Sequence, residues 1–220
     1  LRPRGLRCEY AVNPIGIDET RPRLSWEVVD TRRGAVQSAY HILVSQSREN
    51  LDADKGDLWD SGRVQTDQTV AVRYAGRSLQ SSQTVFWKVK IWDQYNMASE
   101  WSAPAQWTMG LLSPDQWKAQ WITAPAFKQK KPDGKYPYQS LWLRREFKIK
   151  PGLKRAIAHV CGLGHYEMTF NGRPVTESLL NPGWTQYNKT CQYDTYDVTS
   201  LLQNGSNAVG FLLGDRKSVV

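Results

Sequence analysis

Apolar residues recur at every second position in several short runs of the chain. Leu24, Trp26 and Val28 alternate with Ser25 and Glu27. Tyr40, Ile42 and Val44 alternate with polar partners that include His41 and Ser45. Val85, Trp87, Val89 and Ile91 share a face opposite Phe86, Lys88, Lys90 and Trp92. Period two sends successive side chains to opposite sides of an extended chain, so each run predicts a half-buried strand. Turn signals separate the runs at Asp60-Ser61-Gly62, Ala75-Gly76 and Asp93-Gln94-Tyr95-Asn96. Short strands at near-regular spacing predict a fibronectin III- or immunoglobulin-like sandwich over residues 1–110.

Residues 111–125 read as a linker with a short helical turn. Ser113-Pro114-Asp115 supplies a cap, a first-turn proline and an acid at the positive end of a helix dipole. Trp117 and Trp121, four apart, would then share a face and form an apolar peg between domains. Residues 126–139 are polar and predict a mobile loop. Periodicity two then returns. Leu141, Leu143, Phe147 and Ile149 alternate with Trp142, Arg144, Glu146 and Lys148, and Arg145 interrupts the apolar face. Pro151-Gly152 turns the chain, and Ala156–Cys161 leads into the stretch that organises the second half. There Tyr166, Met168 and Phe170 alternate with Glu167 and Thr169. Asn171-Gly172 follows, and both residues tolerate the positive φ of a type I′ turn. Arg173–Val175 starts a return strand, which Pro174 confines to an edge or an end. Residues 190–198, TCQYDTYDV, are rich in β-formers, and Ala208–Leu213 makes a closing strand. Between them, Asp197 and Thr199 bond nearby backbone N–H groups and start a short turn that Gly205 ends.

Taken together, Gly162-Leu163-Gly164, Tyr166-Glu167, Asn171-Gly172, Pro182-Gly183-Trp184-Thr185, Tyr196-Asp197-Val198-Thr199 and Gly205 resemble the N-terminal β-sandwich of bacterial α-L-rhamnosidases, glycoside hydrolase family 78. RPRLSWE at 21–27, YHILVSQS at 40–47, LWDSGRV at 58–64 and VFWKVKIWDQYN at 85–96 resemble the leading domain of the same proteins. The resemblance implies an all-β chain: a fibronectin III/immunoglobulin-like sandwich, then a jelly-roll (galactose-binding-like) domain over 126–215, incomplete at its C-terminal end. It also implies that the acid and base of hydrolysis belong to a later (α/α)6 barrel, so no catalytic residue is assigned to this chain. Packing on that barrel is the expected intramolecular partner. The family pattern breaks after Gly214. Residues 216–220 are expected to be a non-native tail, because DRKSVV and a stop is what one frame of a common sequencing-adapter oligonucleotide encodes. Two other classes stay open: a stand-alone carbohydrate-binding or structural sandwich, and an accessory region of another glycosidase such as a β-galactosidase, whose jelly roll carries a similar DVT turn.

Composition narrows this little further. The chain has 220 residues, 10 tryptophans and a formal charge of +8. Dispersed lysines and arginines, without a nucleic-acid-binding motif, argue against nucleic acid as a partner. No apolar run approaches membrane-spanning length. Leu1 opens the chain with no basic-then-apolar leader, so the compartment, cytoplasmic or secreted, stays open. Cys8, Cys161 and Cys191 have no metal-ligand spacing, and neither do His41, His159 and His165. No metal and no cofactor are called. Cys161 and Cys191 can pair if their strands adjoin, although buried free thiols are the reading preferred here. Glu167, Glu177, Asp194 and Asp197 read as surface or turn carboxylates. The candidates for sugar contact are Trp184, Tyr187, Tyr193 and Tyr196. Pyranose C–H faces stack on aromatic rings, and the bland alternative is that these rings fill a core or an interface. Pro182-Gly183 places Trp184 on a loop. Asn171, Gly172, Asp197, Thr199 and Gly205 are read as structural.

Overall fold

The computed structural model describes residues 1–124, 132–134 and 140–214. The chain is all-β and divides into two compact units, Leu1–Trp117 and Lys118–Val220.

The first unit contains strands β1 (Arg2–Cys8), β2 (Ile15–Ile17), β3 (Arg23–Val29), β4 (Gln37–Ser45), β5 (Trp59–Gln65), β6 (Val72–Arg73), β7 (Thr84–Asp93) and β8 (Ala105–Met109). They form a three-stranded sheet, β1-β3-β6, and a five-stranded sheet, β2-β8-β7-β4-β5. The pairings are antiparallel except β2 with β8. The alternating apolar faces meet in one core. Leu24, Ile42, Val85, Trp87, Val89 and Ile91 are each 0% exposed there, with Trp26 at 3%. Trp26 Nε1 donates to Gln37 Oε1 at 2.9 Å, so its polar edge is satisfied inside the sandwich.

Three local features depart from the sequence expectations. Asp60-Ser61-Gly62 does not turn the chain. It is a bulge within β5, where the register with β4 shifts and Gly62 adopts φ +57°. Ser61 Oγ accepts the Ile42 N–H there. Second, the helical turn spans only Pro114–Gln116, and Trp117 is already extended at ψ 99°. Trp117 and Trp121 therefore share no helix face, and Trp121 is 65% exposed. Third, a one-turn helix, α1 (Arg48–Asp52), follows β4; Ser47 Oγ caps it by accepting the Asn50 N–H at 3.1 Å. The Asp93–Asn96 turn does form. Asp93 Oδ1 accepts the N–H groups of Tyr95 and Met97, each at 2.9 Å, and Asn96 takes φ +65°.

The second unit has β9 (Leu141–Ile149), β10 (Ile157–Val160), β11 (Tyr166–Phe170), β12 (Arg173–Pro174), β13 (Asp194–Asp197) and β14 (Gly205–Leu213). One sheet has the order β12-β11-β14-β9, and the other pairs β10 with β13. Its core centres on Tyr166, Met168, Phe170 and Val198, flanked by Phe147, Tyr196, Leu201 and Phe211. Asn171 and Gly172 take φ +52° and +77°, as a type I′ turn needs, and Pro174 lies on the edge strand. The 3₁₀ turn after Asp197 closes at Leu201; Gly205, at φ +86°, opens β14 instead of ending that turn. Of the polar loop at 126–139, only Pro132–Gly134 are described, in a turn. The tail at 216–220 lies outside the described residues.

Candidate carbohydrate-contacting site

The second unit holds most of its chemistry around β11, β13 and the segment between Asn181 and Cys191. Tyr166 is 5% exposed. Its hydroxyl donates to Asp194 Oδ2 at 2.6 Å and lies 3.1 Å from the Tyr196 hydroxyl. Burial, then Asp194 and Tyr196, push the Tyr166 phenol well above the ordinary tyrosine range. A neutral phenol is thereby kept as a donor, and the carboxylate of Asp194 is already engaged. Burial also pushes Tyr196 up.

On β13, side chains alternate between two faces. Asp194 and Tyr196 face Tyr166 and the core. Tyr193 and Thr195 face the other way: the Tyr193 ring meets His159 edge-on at 5.7 Å, and Thr195 Oγ1 lies 3.1 Å from His159 Nδ1. Burial holds His159 below the usual histidine range, so the neutral ring is favoured. Tyr193, just before β13, and Tyr196 within it thus point to opposite sides, and Tyr196 is committed to the core.

Trp184 is different. It is 72% exposed, on a segment anchored at several points. Tyr166 donates its N–H to Asn181 O at 2.9 Å, and Pro182 is buried. A Cβ on Gly183 would lie 2.6 Å from Gln192 Oε1, so the Gln192 side chain packs directly against this backbone. Tyr187, half-buried, sits in a turn in which Gln186 O accepts from Lys189 N and Thr190 N. Tyr187 O also accepts from Cys191 Sγ at 3.5 Å. Thr185 Oγ1, beside Trp184, is buried and meets no hydrogen-bond partner among the described residues. An indole held on an anchored loop can stack on a sugar face without a large ordering cost.

The remaining carboxylates are spoken for or scattered. Burial raises Asp197, but the hydroxyl and N–H of Thr199 and the nearby Arg155 outweigh it and hold the group below the usual range. Asp197 Oδ1 accepts Thr199 Oγ1 at 2.6 Å and Thr199 N at 3.0 Å. Glu167 and Glu177 are exposed. Asn171 joins a network that sequence reasoning left out. Its Nδ2 donates to Leu201 O and to Asn207 Oδ1, both at 2.9 Å, and its Oδ1 accepts the Ala208 N–H. Asn207, 3% exposed, returns two donations from Nδ2, to Gln203 O and Gly205 O. Asn207 is among the residues that match the rhamnosidase pattern, together with Gly205, but its buried bonding partners are visible only in the fold.

Two family models match the chain. A "Rha78A-like, N-terminal immunoglobulin domain" covers residues 3–113, and an "Alpha-L-rhamnosidase N-terminal domain" covers residues 152–217. The chain belongs to the Rha78A-like α-L-rhamnosidase family. An α-L-rhamnosidase of Formosa agariphila is 35% identical over 221 residues, spanning 92% of this chain and 23% of that protein. The structure of α-L-rhamnosidase from Dictyoglumus thermophilum aligns at a TM-score of 0.89 with 34% identity, over 99% of this chain and 25% of that one. The Streptomyces avermitilis α-L-rhamnosidase, solved in complex with L-rhamnose, is 30% identical at a TM-score of 0.54, over 97% of this chain and 22% of that one. The chain therefore spans about a quarter of the length of these rhamnosidases. Its immunoglobulin-like first half and rhamnosidase-type second half follow the order that the sequence resemblance implied.

Proposed function

We propose that this chain is the N-terminal accessory region of an α-L-rhamnosidase that removes terminal α-L-rhamnose from glycosides or polysaccharides, and that it performs no hydrolysis by itself. The observation that carries the reading is the coverage. Nearly the whole chain aligns with about a quarter of each rhamnosidase, through models that describe N-terminal domains. Glycoside hydrolysis needs two carboxyl groups placed across the scissile bond. Asp194 and Asp197 are instead bound to Tyr166 and Thr199. In this reading residues 1–110 form the first sandwich, 111–125 the linker and 126–215 the second sandwich. Packing against the catalytic barrel is the structural role of the pair.

Trp184 is the residue assigned to sugar contact, with Tyr187 and Thr185 beside it. Its exposure on an anchored loop supports that role, and the core packing of Tyr196 does not extend it there. The purified chain should leave an aryl α-L-rhamnoside uncleaved; measurable turnover would overturn the accessory reading. In affinity electrophoresis through a rhamnose-containing polysaccharide, retardation should weaken about tenfold in Trp184→Ala, the value of one aromatic stack. Equal retardation of variant and wild type removes Trp184 from the site and leaves the accessory role standing.

A further inference from the structure

Cations that lie scattered in sequence meet on one face of the first unit. It is the face of the five-stranded sheet turned away from the core, where β7 presents Lys88, Lys90 and Trp92 between the buried Trp87, Val89 and Ile91. β4 stands between β5 and β7, and its His41 is paired with Arg63 on one side and Lys90 on the other. Two interstrand spacings, about 10 Å, therefore separate the backbones at Arg63 and Lys90. The Arg63 guanidinium crosses β4 to lie 4.6 Å over the Trp92 ring. Trp92 is two positions from Lys90 on the same face of β7, so the guanidinium is carried toward that lysine. Trp101, between β7 and β8, completes the face: its ring centroid is 4.9 Å from Lys88 Nζ, 4.7 Å from Lys90 Nζ and 5.1 Å from the His41 ring.

The acids on this face do not balance its cations. Asp54 is taken by Lys88, whose side chain is 7% exposed, and Lys88 above all holds that carboxyl below the usual range. Asp60 Oδ1 lies 2.6 Å from His41 Nε2 and accepts the Gly62 N–H at 2.9 Å. Lys90 and Arg63 are left without a salt bridge among the described residues. Lys90 rests on the indole of Trp101, and Arg63 donates to the neutral amide of Asn96. Because Lys88 and Lys90 both reach one ring, their ammonium groups stand close enough to repel at ordinary ionic strength. The rings attract the cations without neutralising them.

We propose that this face binds an acidic polysaccharide, holding the carboxylate of a uronate residue between Arg63 and Lys90. The guanidinium offers a planar fork to the carboxylate, and the ammonium adds a point charge. Trp92 and Trp101, both half-buried, supply apolar surface for the pyranose ring that carries it. A saccharide is the occupant favoured, because the chain belongs to a family of glycosidases and has no nucleic-acid-binding motif. The inference rests on the proposed role in a rhamnosidase acting on polysaccharides and adds the charge of the polymer. It concerns the first unit alone and is independent of Trp184.

The test runs the whole chain through gels that contain polygalacturonate or the same polymer fully methyl-esterified, with mobility read against a polymer-free gel. The ester keeps the sugar and removes the charge. Retardation is expected in polygalacturonate and not in the ester, and it should fade as salt rises toward about 1 M. Arg63→Gln/Lys90→Gln should weaken it about tenfold. Arg2→Gln/Arg7→Gln removes the same charge from exposed positions of β1, on the other sheet, and should stay near wild type. Arg63→Gln alone keeps the comparison open if the double variant fails to fold. No retardation in polygalacturonate, equal retardation by the ester, equal losses in the two double variants, or equal affinity for duplex DNA at the same ionic strength overturns the proposal. None of these outcomes touches the accessory reading, which turnover of an aryl α-L-rhamnoside decides separately.

Discussion

Asn207 should be among the most costly polar residues of the second unit to remove. Its amide makes four hydrogen bonds. Nδ2 donates to Gln203 O at 2.7 Å and Gly205 O at 3.0 Å, while Oδ1 accepts from Gln203 N and Asn171 Nδ2, both at 2.9 Å. At about 1 kcal/mol net per bond, the ceiling for Asn207→Ala is about 4 kcal/mol. Gln203 and Gly205 are exposed, so water can reach part of what is lost. That lowers the expectation to about 2 kcal/mol. For a unit of this size the unfolding midpoint should drop by about 10 °C. Differential scanning calorimetry is the assay, because the two units have separate cores and the loss should fall on one transition only. Asn207→Asp is the sharper control. It keeps an acceptor toward Gln203 N but turns a charged oxygen toward two carbonyls, so it should destabilise at least as much as alanine. A loss under about 0.5 kcal/mol in both variants would refute the reasoning, since each of the four bonds would then be replaceable by solvent.

Two further outcomes follow from the first unit. Gly76 packs against the Leu58 carbonyl, Trp59 Cβ and the Tyr74 hydroxyl so closely that a Cβ there would overlap all three. Gly76→Ala should cost about 1–3 kcal/mol in urea denaturation, with an unchanged slope; a neutral result would mean the Leu58–Trp59 backbone gives way freely. Asp93 is held below the usual carboxylate range by the Met97 N–H first, then Arg32 and the Tyr95 N–H. A depressed folded value contributes stability that is complete above the unfolded value, about 3.9, and disappears as pH falls through the folded one. The midpoint of the first unit should therefore fall as pH drops below about 4, and Asp93→Asn, which keeps an acceptor but cannot ionise, should flatten that fall. An unchanged slope in the variant would assign the acid sensitivity to other carboxylates.

Much of this architecture was legible from residue order, for identifiable reasons. Val85, Trp87, Val89 and Ile91 reveal β7 because a sheet covered on one face enforces strict alternation. Asn171-Gly172 reveals its hairpin because few other pairs accept two positive φ values. The failures are equally physical. β1 went unseen because its register shifts between Arg4 and Arg7, around Gly5 at φ +60°, which breaks period two. Gly62 marked a bulge where a turn was expected, since both need the same backbone conformation. α1 carries a single buried apolar residue, Leu51, too little for a helical period to show. At the candidate site, the aromatic residues were visible but their faces were not. Tyr193, just ahead of β13, and Tyr196 within it part to opposite sides only once the partners of the strand are known. The pairing of β10 with β13 likewise joins distant segments that local pattern does not encode.

The outer position of β9 has a consequence for the behaviour of the isolated chain. Nine residues run along the margin of the four-stranded sheet, bonded to β14 on one side and to no other strand among the described residues. A free row of backbone donors and acceptors of that length invites a second copy to add on as an extra strand. Arg144, Arg145, Glu146 and Lys148 stand along this margin, all exposed. The arginine that spoils the apolar alternation at position 145 thereby acquires a purpose: it keeps the margin too charged to template a fibre. Neutralising that cluster should raise the tendency of the chain to associate with concentration, which sedimentation velocity would show.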